Sequence, residues 1–215
     1  MGIIKNGILG GFRKKTGTVV GAFWRRLDVI RSLPRSSGKA PTEKQVNQQK
    51  KFKLVTSFLS NFGNLIDVGF FSSGQAATPM NLAVRYHLEN AITGAAPNFE
   101  LDFAALCFSV GKLTLPLDYN LDTSVSGTMN LTWSHTEPND KLIDASDQLM
   151  MLVYNPVKER FIKVLQGAAR AEMAYSLAIP ANFAGDNVEV YFAFTSSLKR
   201  GLNSNTIYLG NVSLS

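Results

Sequence analysis

The chain has 215 residues, of which 45% are apolar and 18% charged, and a net charge of +6. That is too apolar for a disordered chain and long enough to bury a core. One cysteine excludes an intrachain disulfide, and no run of about 18 apolar residues offers a transmembrane helix.

The charge is uneven. Residues 1–53 hold 13 Lys and Arg against two acids, a net +11, and the remainder holds nine against 14, a net −5. A basic segment joined to a mildly acidic body is suited to binding something negative. The partner could be nucleic acid, an anionic surface or the body of a neighbouring copy.

In chain order, residues 1–17 intersperse Ile3, Ile4, Ile8, Leu9 and Phe12 with five glycines. Helix is disfavoured there, and an extended or mobile arm is expected. Val19, Val20, Phe23 and Trp24, then Val29 and Ile30, flank Arg25 and Arg26, which predicts a hairpin of strands 18–24 and 28–33. Two strands alone are marginal in water, so the hairpin needs a surface to pack on. The segment from Pro34 to Pro41 reads as a linker.

A helix follows over 42–62. Thr42 and Gln45 make a capping-box pattern, and Phe52, Val55, Phe58, Leu59 and Phe62 form its buried stripe. Thr78-Pro79 opens a second helix whose apolar stripe includes His87 and which stops at Gly94. From residue 98 the texture is β. Strands are expected at 99–108, 126–134, 147–155, 159–165, 171–179, 187–196 and 206–214. Val188, Val190, Phe192 and Phe194 alternate with Glu189, Tyr191 and Ala193 as in a half-buried strand. The expected architecture is mainly β with two helices (α+β). It comprises a basic arm, hairpin and linker (1–41), a two-helix segment (42–97), and an antiparallel immunoglobulin/fibronectin-like sandwich (98–215).

Catalytic chemistry is poorly provided for. The two histidines, His87 and His135, read as a core residue and a solvated one, and Cys107 as a buried core residue. Asp140, Asp144 and Asp147 lack calcium-loop spacing and read as a solvated rim. No enzyme activity, metal or cofactor is expected. The basic cluster is the stronger signal. Arg13, Lys14 and Lys15 adjoin Phe12, Arg25 and Arg26 follow Trp24, and Arg31 lies in the second strand. Cations interleaved with aromatics can neutralise phosphates and stack on bases, or can sit on an acidic neighbour.

Several segments carry a resemblance. They are Thr18-Val-Val-Gly-Ala-Phe-Trp24, Asp28-Val-Ile-Arg-Ser32, Pro41-Thr-Glu-x-Gln45 with Phe52-Lys-Leu-Val55, Asn90-Ala-Ile-Thr-Gly94, Val153-Tyr-Asn-Pro156 and Tyr208-Leu-Gly210. With the Gly-rich basic start they resemble an uncharacterised bacterial domain-of-unknown-function family over nearly the whole chain. That resemblance implies no enzymatic activity. The N-terminal part is also similar to small proteins found among phage-like genes, and Leu131-Thr-Trp133 with Val190-Tyr191-Phe192 to fibronectin type III and immunoglobulin-like strands.

The reading is a non-enzymatic structural protein that self-assembles into an oligomer, filament or phage-like particle. Its contacts would be Ile3, Ile4, Ile8, Leu9, Phe12, Val19, Val20, Phe23, Trp24, Val29 and Ile30. The alternative is a nucleic-acid-binding module using Arg13, Lys14, Lys15, Arg25, Arg26 and Arg31. The start of the sequence shows no secretory signal or myristoylation pattern, so cytoplasmic synthesis is expected, with release as part of a particle. No small-molecule substrate is evident.

Overall fold

A computed structural model describes residues 2–3, 11–24, 27–34, 38–71, 77–134 and 142–214. Ile4, Ile8, Leu9, Arg25, Arg26, His135 and Asp140 lie outside the described residues. The chain forms two compact units, 1–42 and 43–215.

The first unit holds β1 (Gly2–Ile3), β2 (Lys14–Thr16), β3 (Val19–Trp24) and β4 (Leu27–Ser32) in the antiparallel order β1-β4-β3-β2. The expected hairpin is its centre, extended by a strand on each side.

The second unit starts with helices. Helix α1 (Glu43–Leu59) runs through a 3₁₀ turn, Ser60–Phe62, into α2 (Gly63–Gly69), so this jointed helix continues beyond the expected stop at Gly63. Helix α3 (Pro79–Asn90) begins as its sequence dictates. The Thr78 side chain accepts from the Asn81 N–H at 3.3 Å, and Pro79 fills the first turn.

A short pair follows, β5 (Ile92–Thr93) and β6 (Glu100–Leu101). The main strands are β7 (Tyr119–Asp122), β8 (Thr128–Trp133), β9 (Gln148–Asn155), β10 (Arg160–Val164), β11 (Ala174–Ala178), β12 (Asn187–Thr195) and β13 (Ile207–Ser213). They form two antiparallel sheets, β10-β9-β12-β13 and β11-β8-β7.

Register sorts the core into layers. Residues directly opposite in an antiparallel pair share a face. Met151 pairs with Phe192 and Val153 with Val190, and this face packs on Met129, Leu131 and Trp133 of the three-stranded sheet. Met150 pairs with Ala193 and Leu152 with Tyr191, and this opposite face packs on Val55, Leu59, Ile66, Ala83 and Val84 of the helices. The β-rich α+β class is as expected. The helices and strands share one core, and β12 is buried on both faces rather than half-buried. Glu189 is therefore buried and accepts hydrogen bonds from Tyr208 Oη (2.5 Å) and Asn211 Nδ2 (2.7 Å).

Two other expectations fail locally, and one strand is unforeseen. Phe52 is 51% exposed, so the buried stripe of α1 begins at Val55. Segment 99–108 yields only β6 and a 3₁₀ turn. The Asp102 carboxylate accepts from Ala104 N–H, and His87 takes the Cys107 N–H, so these backbone groups bond side chains instead of a ladder. Strand β7 is an addition, where Leu117, Tyr119 and Leu121 alternate with Asp118, Asn120 and Asp122.

Candidate functional site: a basic N-terminal sheet with an aromatic face

Pairing assigns the faces of the N-terminal sheet. Val19, Gly21 and Phe23 oppose Ser32, Ile30 and Asp28 on one face, with Lys14 beside Gly21. Phe12 lies against this face. A Cβ on Gly21 would stand 2.1 Å from the Phe12 carbonyl oxygen and 2.7 Å from its ring, so only glycine admits that approach. The Arg13 guanidinium sits 5.2 Å from the centroid of the Phe23 ring. Residues 11–13 thus fold back on their own sheet, rather than extending as a free arm.

The opposite face carries Ile3, Val20, Ala22, Trp24, Leu27 and Val29. Ile3 (53%), Trp24 (49%) and Leu27 (37%) are exposed, and Val29 is buried among them. Lys15 opposes Val20, which opposes Arg31, so this apolar face ends in a cationic row. Arg13, Lys14, Lys15 and Arg31 are all exposed, and among the described residues none pairs with a carboxylate. The structure brings together the predicted residues Ile3, Val20, Trp24, Val29, Lys15 and Arg31. It separates from them Phe12, Phe23, Val19, Ile30, Arg13 and Lys14, which belong to the face that Phe12 lies against, where Phe23 is itself 51% exposed.

The candidates for reactive chemistry are structural. His87 is fully buried, with Nδ1 2.7 Å from the Ala83 carbonyl and Nε2 accepting the Cys107 N–H at 3.2 Å. Those partners fix a neutral ring with its proton on Nδ1, and burial lowers its pKa. The Cys107 thiol bonds the Ser109 carbonyl, and burial pushes its pKa up to about 12, far from nucleophilic. Asp147 departs from the solvated-rim reading. It is fully buried in an ion pair with Arg170 (Nε to Oδ2, 3.2 Å), and Arg170 also donates to Thr114 O (2.8 Å) and lies 4.3 Å over Phe194. Asp144 instead accepts from Ser146 N–H and Oγ–H, which hold its carboxyl below the usual range. Among the described residues no group of three His, Cys, Asp or Glu could hold a metal.

Sequence reasoning missed a groove of about 790 Å³ on the second unit, lined by Phe58, Phe103, Tyr154 and Phe161 with Lys50 and Glu159 at its margin. Tyr154 stacks on Phe161 at 4.5 Å, and Phe58 meets both edge-on. The alternation in β9 and β10 held the signal, but it appeared only once the two strands were paired residue by residue.

Fold and surface define a mainly antiparallel β protein with a helical layer and a separate basic sheet. The chain matches the family of unknown function DUF6266 over residues 11–210 and belongs to that family. This agrees with the expected membership of a domain-of-unknown-function family. Among solved structures it is similar to the fn3 domain of human contactin 1, at 10% identity and a TM-score of 0.30, covering 57% of this chain and 94% of that one. So low a score carries no argument, and the sandwich rests on the strand pairing above. No curated protein matches the chain. No helix among the described residues is long and apolar enough to cross a membrane.

Proposed function

We propose that the protein is a non-enzymatic structural subunit that self-assembles through its N-terminal sheet into an oligomer or filament, the phage-like particle being its most concrete form. One observation carries this reading. A unit of only 42 residues leaves Ile3, Trp24 and Leu27 exposed on a single face. Units of this size rarely hold together without disulfides, metals or association, and this one contains no cysteine. Covering the face with a second copy removes the apolar area from water. It also sets the cationic row of Lys15 and Arg31 against a body of net negative charge. Light scattering on the full chain and on the Trp24→Ser/Leu27→Ser variant tests the reading. The variant should have a smaller particle mass with unchanged β circular dichroism. An unchanged mass would refute it.

Nucleic acid is the second reading, favoured by Arg13 over Phe23 with Lys14 on the same face, an arrangement that can grip a phosphate and a base together. Affinity would then fall steeply with salt. Neutralising Arg13, Lys14 and Lys15 would lower the log–log slope by about 0.7–0.9 for each phosphate no longer neutralised. Absence of binding at low salt would eliminate this reading.

A further inference from the structure

Each of the two main sheets of the second unit ends in strands whose outer backbone groups have no ladder partner among the described residues, and three of those four edges are guarded. Strand β10 carries the exposed Arg160 and Lys163. Strand β13 shifts register opposite Val190/Tyr191 and contains Gly210 at φ 102°. Strand β7 has four residues and ends in Asp122, just after Asp118. Charge, bulges and shortness are the usual ways of blocking edge-to-edge pairing.

Strand β11, Ala174-Tyr-Ser-Leu-Ala178, has none of them. Trp133 N–H donates to Met173 O (3.0 Å) and Ile179 N–H to Gly127 O (2.9 Å), so residues 173, 175, 177 and 179 turn their backbone toward β8. The N–H and C=O groups of Ala174, Ser176 and Ala178 therefore point off the edge. These residues are exposed, and their edge groups have no backbone partner among the described residues. Tyr175 and Leu177 face the core.

We infer that β11 pairs antiparallel with β11 of a second copy about a two-fold axis through Ser176, joining two three-stranded sheets into one of six strands. The sequence is self-complementary in that register. Ala174 meets Ala178 of the copy, Ser176 meets Ser176, and each pair exchanges both backbone hydrogen bonds. A charge near the axis would face itself across it, and the strand has none. Any other strand could use the same backbone groups, but the small residues at all three outward positions match each other symmetrically. This interface is separate from the N-terminal sheet and does not rest on its role. Two interfaces per subunit would extend an assembly beyond a dimer.

Disulfide trapping tests the pairing in the full chain. The only native thiol, Cys107, is buried, so Ser176→Cys adds a single reactive group. Hydrogen-bonded antiparallel partners place their Cα atoms about 5.5 Å apart, within disulfide reach. In a Trp24→Ser/Leu27→Ser background, Ser176→Cys should cross-link to a dimer at least 10-fold faster than Thr132→Cys, which is exposed on the same face of the interior strand β8. Ser176→Lys in that background should raise the dimer dissociation constant at least 10-fold, with circular dichroism unchanged. Equal cross-linking rates, or an unaltered dissociation constant, would overturn the inference. Neither outcome bears on the N-terminal sheet, whose residues are replaced in every sample.

Discussion

Replacing Asp147 by Asn should be the most damaging isosteric change in the protein. The substitution keeps shape and an acceptor for the Asp144 N–H, which bonds Oδ2 at 3.1 Å. It removes the carboxylate that pairs with Nε of Arg170, a side chain with no exposed surface. Arginine does not deprotonate, so its charge stays buried after losing that carboxylate. Breaking a buried pair from one side costs about 3–5 kcal/mol. Against a domain stability of about 5–15 kcal/mol that is a large fraction. With a urea slope of about 2 kcal/mol per M, the midpoint should fall by about 2 M. The double variant Asp147→Asn/Arg170→Met should recover about half of the loss or more, because Met refills the space over Phe194 without a charge. Urea melts followed by circular dichroism measure both. A loss under about 1 kcal/mol for Asp147→Asn, or simple additivity of the two single changes, would refute the reasoning.

Phe58→Ala should cost about 2–3 kcal/mol, below the range for a fully buried ring, because Phe58 is half-buried yet meets Phe62, Phe103, Tyr154 and Phe161. Phe52→Ala, six residues earlier on the same helix, should change urea stability by no more than about 0.5 kcal/mol. The lowered pKa of His87 means that the unfolded chain binds more protons below about pH 6.5. Stability should therefore be full above that pH and fall as pH drops toward the folded-state pKa. His87→Gln should flatten this slope between pH 7.5 and 5.5, and an equal slope in both proteins would contradict the assignment.

Local chemistry made much of the fold legible. The Thr78-Pro79 start, the hairpin around Val20 and Ile30, and the strands near 147–155, 159–165 and 206–214 follow from caps and periodicity within a few residues. What failed depended on partners distant in the chain. Tyr191 and Ala193 have the alternation of a solvent face, yet helices about a hundred residues earlier cover them. Asp147 looks like a loop acid until Arg170 comes into place beside it. The expected strand at 99–108 is broken by Asp102 and by His87, whose Nε2 captures a backbone N–H 20 residues away. The basic segment was visible in the composition, but its division into one face with Phe12 and Phe23 and another with Trp24 and Arg31 required the register of β3 and β4.

Sedimentation velocity of the full chain at rising concentration, beside the Trp24→Ser/Leu27→Ser variant, is the most direct test of assembly through the N-terminal sheet. The full chain should sediment as species larger than a dimer, with the larger species growing with concentration. The variant should remain folded and sediment as a dimer at most. A full chain that stays monomeric at high concentration, or a variant that sediments as the parent does, would contradict the account.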